Sequence, residues 1–126
     1  MEKIFYKKKL IGFRVKALPK GSIPLTDGKE PLQVVTLRHK NGAYLKAHMH
    51  KPRKRTTDCL QEFLMVKKGR IKLDLYGPDK KFLKFIYLSG GDFFVLMHGG
   101  YGIHVLEDAE MVETKNGPFI EDKILI

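Results

Sequence analysis

His48-Met49-His50 sets two imidazoles one residue apart, just after Gly42-Ala43-Tyr44-Leu45-Lys46-Ala47. If that run is a strand, side chains alternate between faces and the two histidines point the same way. Two imidazoles on one face can share a metal ion. Further along stand Glu62 and Gly69, then Gly91 and His104. A divalent transition metal (Fe, Mn, Ni, Zn or Cu) accepts neutral imidazole and carboxylate ligands. His48, His50, Glu62 and His104 are therefore the candidate metal ligands.

Other residues near these could line a pocket. Tyr101 is a candidate catalytic acid or a stacking surface for a substrate ring, against the alternative of an aromatic lid over the barrel mouth. His98 either lines the pocket or faces solvent. Glu113 and Lys115 alternate onto one face, where they form an ion pair or approach the pocket and bind an anion. Glu62 sits in a run, residues 60–66, that is apolar on both faces apart from Gln61 and Glu62. A carboxylate there must be paired, ligated or exposed at an edge. Cys59 is expected to be a small buried hydrophobe, and His39 an exposed turn residue.

These residues must be carried by strands. Arg70-Ile71-Lys72-Leu73-Asp74-Leu75-Tyr76 alternates polar and apolar. Gly77-Pro78-Asp79-Lys80 follows as a turn. Residues 82–88 and 93–97 read as further strands, separated by Ser89-Gly90-Gly91-Asp92. His98-Gly99-Gly100-Tyr101-Gly102 reads as a glycine-rich loop. Residues 104–106 and 110–113 close the series, and residues 32–37 form an earlier strand. No stretch has a helical pattern. Many short strands with turn signals between them predict an all-β sandwich or barrel. Residues 1–31 are expected to form an early strand and loops outside the centre, residues 32–115 the core, and residues 116–126 a C-terminal segment of one domain.

The spacing Gly42, five residues, His48-x-His50, then Glu62, six residues, Gly69 resembles the first motif of the cupin superfamily. The gap from His50 to Glu62 holds eleven residues here, longer than the family's usual gap. Gly91, the glycine-rich loop and His104 resemble the second motif, with Met97 where proline is usual and Asp108 where asparagine is common. From Ala47 onward the chain is also similar to small cupins of surface-polysaccharide and nucleotide-sugar gene clusters. Gln61-Glu62, Gly99-Gly100-x-Gly102, Glu107-Asp108 and Glu113-x-Lys115-x-Gly117-Pro118-Phe119 carry that likeness. Tyr101 stands where the group often has histidine. The resemblance implies a double-stranded β-helix (a jelly-roll barrel) and a metal held by His48, His50, Glu62 and His104. It also implies action on, or binding of, a small anionic molecule such as a sugar derivative. Two alternatives stay open: a metal-free sugar isomerase or epimerase using acid and base side chains, and a non-catalytic binding or sensing module.

Composition bounds the partners. The 126 residues carry a formal charge of +10 and 43% hydrophobic residues, enough for a core in one domain. A basic balance favours anionic partners. Nucleic acid is the least favoured, because the chain lacks zinc-finger spacing and the aromatic-basic pattern of a nucleic-acid-binding sheet. No apolar run approaches the ~18 residues of a membrane span. Residues 1–10 lack the pattern of a secretory signal, and one cysteine permits no internal disulfide, so a cytoplasmic protein is expected. Barrels of this size often pair, so a homodimer is expected too, with residues 60–66 either central in the sandwich or buried between subunits.

Overall fold

Alternation at every second residue is what the strands of this chain are built on. The computed structural model describes all residues, Met1–Ile126, and contains ten strands and no helix. In chain order these are β1 (Glu2–Tyr6), β2 (Lys9–Val15), β3 (Gly21–Pro24), β4 (Val35–Arg38), β5 (Glu62–Lys68), β6 (Arg70–Tyr76), β7 (Phe82–Ser89), β8 (Phe93–Leu96), β9 (Gly100–Val105) and β10 (Glu110–Lys115). The chain divides into two compact units, residues 1–17 with 60–126, and residues 18–59.

The first unit holds two antiparallel sheets. One has the order β1-β2-β8-β5-β10 and the other β7-β6-β9. Ile71, Leu73 and Leu75 of β6 are completely buried, while Arg70, Lys72, Asp74 and Tyr76 between them are not. They meet Leu64, Val66, Phe94 and Leu96 from the larger sheet in one apolar cluster. Two sheets sharing one core is the arrangement of a β-sandwich. Neither sheet closes on itself. The strand β8 lies between β2 and β5 and is buried along its whole length, as a strand covered on both faces must be.

Two expectations about the N-terminal half change. Lys9–Val15 is a full member of the larger sheet, paired with β1 and β8, and buries Ile11, Phe13 and Val15. The physical signal was the alternation Ile11, Phe13, Val15, masked by the basic run Lys7-Lys8-Lys9 before it. Conversely, residues 42–47 form no strand. The strand expected at residues 60–66 is β5, Glu62–Lys68, flanked within its sheet by β8 and β10.

The second unit is a hairpin, β3 against β4, followed by a stretch without regular structure through residue 59. The hairpin is continued by Leu25 N–H donating to the Val34 carbonyl at 2.8 Å and by Val34 N–H donating to Thr26 Oγ1 at 3.0 Å.

Candidate functional site

Strand register decides which polar side chains meet. In the larger sheet Glu62 lies opposite Lys115 and also opposite Leu96, while Glu113 lies opposite Leu64. Glu62 is therefore on the core-facing side with Leu64 and Val66, and so are Glu113 and Lys115. In the smaller sheet Tyr101 lies opposite Leu75, a core residue. Four polar groups from two sheets thus converge beside the apolar cluster.

The contacts are direct. Tyr101 Oη donates to Glu113 at 3.0 Å. Lys115 Nζ lies 2.7 Å from Glu113 and 3.9 Å from Glu62. The Tyr101 ring packs edge-on against Phe94, with 6.4 Å between centroids. Burial, and then the carboxylates of Glu62 and Glu113, push the Tyr101 phenol far above its ordinary range. A phenolate facing two carboxylates in a half-buried site would be costly, so the proton stays on oxygen for as long as both carboxylates are charged. The Lys115 ammonium, bonded to Glu113, holds that carboxyl below its ordinary value, with the Tyr101 hydroxyl adding to the effect and burial opposing it. The same bond raises Lys115. The cluster therefore offers a protonated phenol, two carboxylates and an ammonium group, which is an acid, a base and an anion anchor.

Glycines set the approach of Tyr101. Gly99 has φ +82°, and a Cβ there would stand 2.1 Å from the Tyr76 carbonyl oxygen. Only glycine fits that left-handed position against a neighbouring backbone. The expected loop of residues 98–102 is thus shorter than its glycines suggest, because Gly100, Tyr101 and Gly102 already belong to β9.

Of the four residues expected to ligate a metal, Glu62 and His104 belong to the first unit and His48 and His50 to the second. No group of three or more His, Cys, Asp or Glu side chains stands at metal-binding spacing. His104 lies opposite Lys72, on the outward face of its sheet, and its Nε2 is 2.5 Å from Asp74 Oδ2. Tyr101 and His104 are an odd number of residues apart on one strand, so they project to opposite faces. Glu62 shares the inner side with Tyr101. His48 and His50 belong to the second unit, are exposed, and stack edge-to-face with 5.2 Å between ring centroids. His48 Nδ1 donates to the Lys46 carbonyl at 2.9 Å, which leaves Nε2 with its lone pair. Within the first unit Glu62 and His104 therefore do not share a face, while His48 and His50 pair with each other in the second.

Of the pocket candidates, Tyr101, Glu113 and Lys115 come together, and the expected ion pair of Glu113 with Lys115 forms. His98 stands apart from them: its Nδ1 donates to the Leu10 carbonyl at 2.9 Å, while its backbone N–H reaches the Ile11 carbonyl. That residue fastens the turn after β8 onto β2. Cys59 is exposed rather than buried, since it precedes β5 in a stretch with no strand. His39 is exposed, as expected, and pairs with Ser22 Oγ at 3.0 Å.

Compared with known protein families, curated proteins and solved structures, the chain matches none.

Proposed function

We propose that the protein is a cupin-type jelly-roll protein that binds a small anionic sugar derivative and rearranges it by proton transfer. The observation that carries this reading is the convergence of Tyr101, Glu62, Glu113 and Lys115 on the inner side of the sandwich. Glu62 is the base. It removes a proton from a hydroxyl-bearing carbon beside a carbonyl group. Tyr101 is the acid and gives its proton to the carbonyl oxygen, forming an enediol. Return of the first proton to the neighbouring carbon, and of the hydroxyl proton to Tyr101, gives an isomer with no net change of atoms. Glu113 orients Tyr101, and Lys115 anchors a phosphate or carboxylate of the substrate.

The test uses the purified full chain and a panel of nucleoside-diphosphate keto sugars in deuterated water. Deuterium entering the carbon beside the carbonyl, followed by NMR, reports proton abstraction. Tyr101→Phe and Glu62→Gln should each slow incorporation by about a hundredfold or more. Absence of both binding and exchange across the panel sinks the reading.

A second reading, metal binding, is favoured by one observation: His48 Nδ1 is bonded to the Lys46 carbonyl, and the His48 and His50 rings lie 5.2 Å apart. A backbone carbonyl on the far nitrogen is the usual support of a ligating imidazole. The candidate ions remain Fe, Mn, Ni, Zn or Cu, with further ligands supplied by water or a bound molecule. Metal analysis of His48→Ala and His50→Ala against the unaltered chain tests it.

A further inference from the structure

The smaller sheet turns one face to the core, and its outward face is built of rings and cations. Register puts Tyr87 opposite Lys72, Phe85 opposite Asp74 and Phe82 opposite Tyr76. Phe82 and Phe85 are three residues apart, an odd spacing that sends side chains of a regular strand to opposite faces. The irregularity between Leu75 and Tyr76 absorbs one residue and returns Phe82 to the outward face, where its ring meets that of Tyr76. Phe82, Phe85 and Tyr87 are 56%, 49% and 36% exposed. Lys72 Nζ lies 5.2 Å from the centre of the Phe85 ring, and the Arg70 guanidinium 4.4 Å from that of Tyr87. Asp74 is the one carboxylate on β6, β7 and β9, and it is held by Lys72 at 3.7 Å and His104 at 2.5 Å.

The same two strands end on a cluster of lysines. The turn from β1 to β2 brings Lys7, Lys8 and Lys9, and the turn from β6 to β7 brings Lys80 and Lys81. The Tyr6 hydroxyl donates to Asp79 at 2.7 Å and ties the turns together, with Lys7 Nζ 3.5 Å from the same carboxylate. Asp79 is the one acidic residue in either turn. Lys7, Lys8 and Lys80 have φ of 49°, 66° and 67°, and every other residue with a positive φ is glycine. Glycine, asparagine or aspartate takes that left-handed region with less strain. Lysines kept there despite the strain point to a use for their charge. Rings and lysines all belong to the first unit.

We infer that this face and the lysine turns beside it bind single-stranded nucleic acid. Bases stack on aromatic rings and on Arg guanidinium groups, and lysines take the phosphates. A single strand repeats a flat ring and a negative charge, and the face repeats a flat ring and a cation. A strand of seven residues such as β6 runs roughly 20 Å, room for several nucleotides. A duplex hides its base faces and an anionic membrane has none, so either would meet the cations and leave the rings unused. The formal charge of +10 draws a polyanion in. No one segment of the sequence shows the full pattern, because the rings of β7 meet the cations of β6 only through strand pairing. The inference does not rest on the proposed chemistry of Tyr101, which projects to the opposite face of this sheet.

The experiment follows the fluorescence anisotropy of dye-labelled oligothymidylate and oligouridylate, about 12 nucleotides long, with the full chain at increasing salt. A duplex of the same length and phosphatidylserine vesicles are the comparison probes. Both single strands should bind, the tighter one telling DNA from RNA, and binding should weaken steeply with salt. Phe85→Leu/Tyr87→Leu should weaken it about tenfold or more and keep the salt slope. Lys80→Gln/Lys81→Gln should lower that slope by about one. Ultraviolet crosslinking of the unaltered chain should place the oligonucleotide on residues 82–89, a readout that needs no variant to fold. Absence of binding at low salt overturns the inference. So does a duplex or a vesicle bound as tightly as the single strands, an affinity that the ring replacements leave unchanged, or crosslinks confined to other segments.

Discussion

Tyr101 and Glu113 join the two sheets of the sandwich through one hydrogen bond, phenol to carboxylate, at 3.0 Å. The tyrosine comes from β9 of the smaller sheet and the glutamate from β10 of the larger. Lys115 holds the far side of the same carboxylate, so the phenol is presented by a charge pair rather than by a mobile side chain. That pre-arrangement is what an acid group needs before a substrate arrives.

Removing the hydroxyl separates its polar role from the packing of the ring. Tyr101→Phe keeps the edge-on contact with Phe94 and loses the hydroxyl's interactions with Glu113 and Glu62. Urea denaturation should show a loss of about 0.5–1.5 kcal/mol. Tyr101→Ala also empties the space beside Phe94 and should cost more, about 3 kcal/mol or above. Equal effects of the two variants would mean that the bond to Glu113, and not the ring, accounts for the loss.

The cluster makes stability depend on pH at both ends. Glu113 is held below its ordinary 4.5 in the folded chain. As the pH falls below 4.5 the unfolded chain takes up a proton first, so the contribution of this carboxylate, complete above 4.5, is lost on acidification. Tyr101 is raised above 10.0 and Lys115 above 10.5. Their contributions are complete below those values and fade as the pH rises past them, because the unfolded chain releases its protons first. Denaturation midpoints measured against pH should therefore fall at both extremes. Glu113→Gln should flatten the acid side, and Tyr101→Phe the alkaline side.

Gly99 is a second place where one substitution reports on the site. Gly99→Ala forces a side chain into the left-handed region and onto the Tyr76 carbonyl. The expected cost is about 1–3 kcal/mol in thermal or urea unfolding, accompanied by weaker binding at Tyr101, two residues on. A neutral result would show that the turn can relax without moving β9.

Metal uptake should follow the exposed histidine pair. Ions bound by the chain should be lost in His48→Ala and in His50→Ala and kept in His104→Ala, whose imidazole is engaged with Asp74. Elemental analysis after dialysis reads this directly. Loss of metal in His104→Ala would instead count His104 among the ligands, as the cupin resemblance implies.

The strands were largely legible because alternation is a local property. Arg70–Tyr76 reads off its polar-apolar order to the residue, and Phe82–Ser89 and Phe93–Leu96 differ from expectation by one residue at an end. The segment 42–47 has strand-like residues yet pairs with nothing, because a strand exists only where a neighbour accepts its hydrogen bonds. Residues 9–15 show the opposite error: a modest pattern became a core strand once β1 and β8 lay on either side of it.

By itself the sequence determined the all-β class, the positions of most strands, and the chemical types on offer: imidazoles, carboxylates, a phenol and a lysine. Which of them meet was left to the tertiary structure. Tyr101 and His104 stand on one strand with opposite parity, so only one of them can face the core. The pairing of β9 with β6 set Tyr101 opposite Leu75 and His104 opposite Lys72. A one-residue shift of that register would have exchanged their faces. That shift is invisible in the sequence of β9 alone, because it depends on how another strand, buried at Ile71, Leu73 and Leu75, aligns beside it.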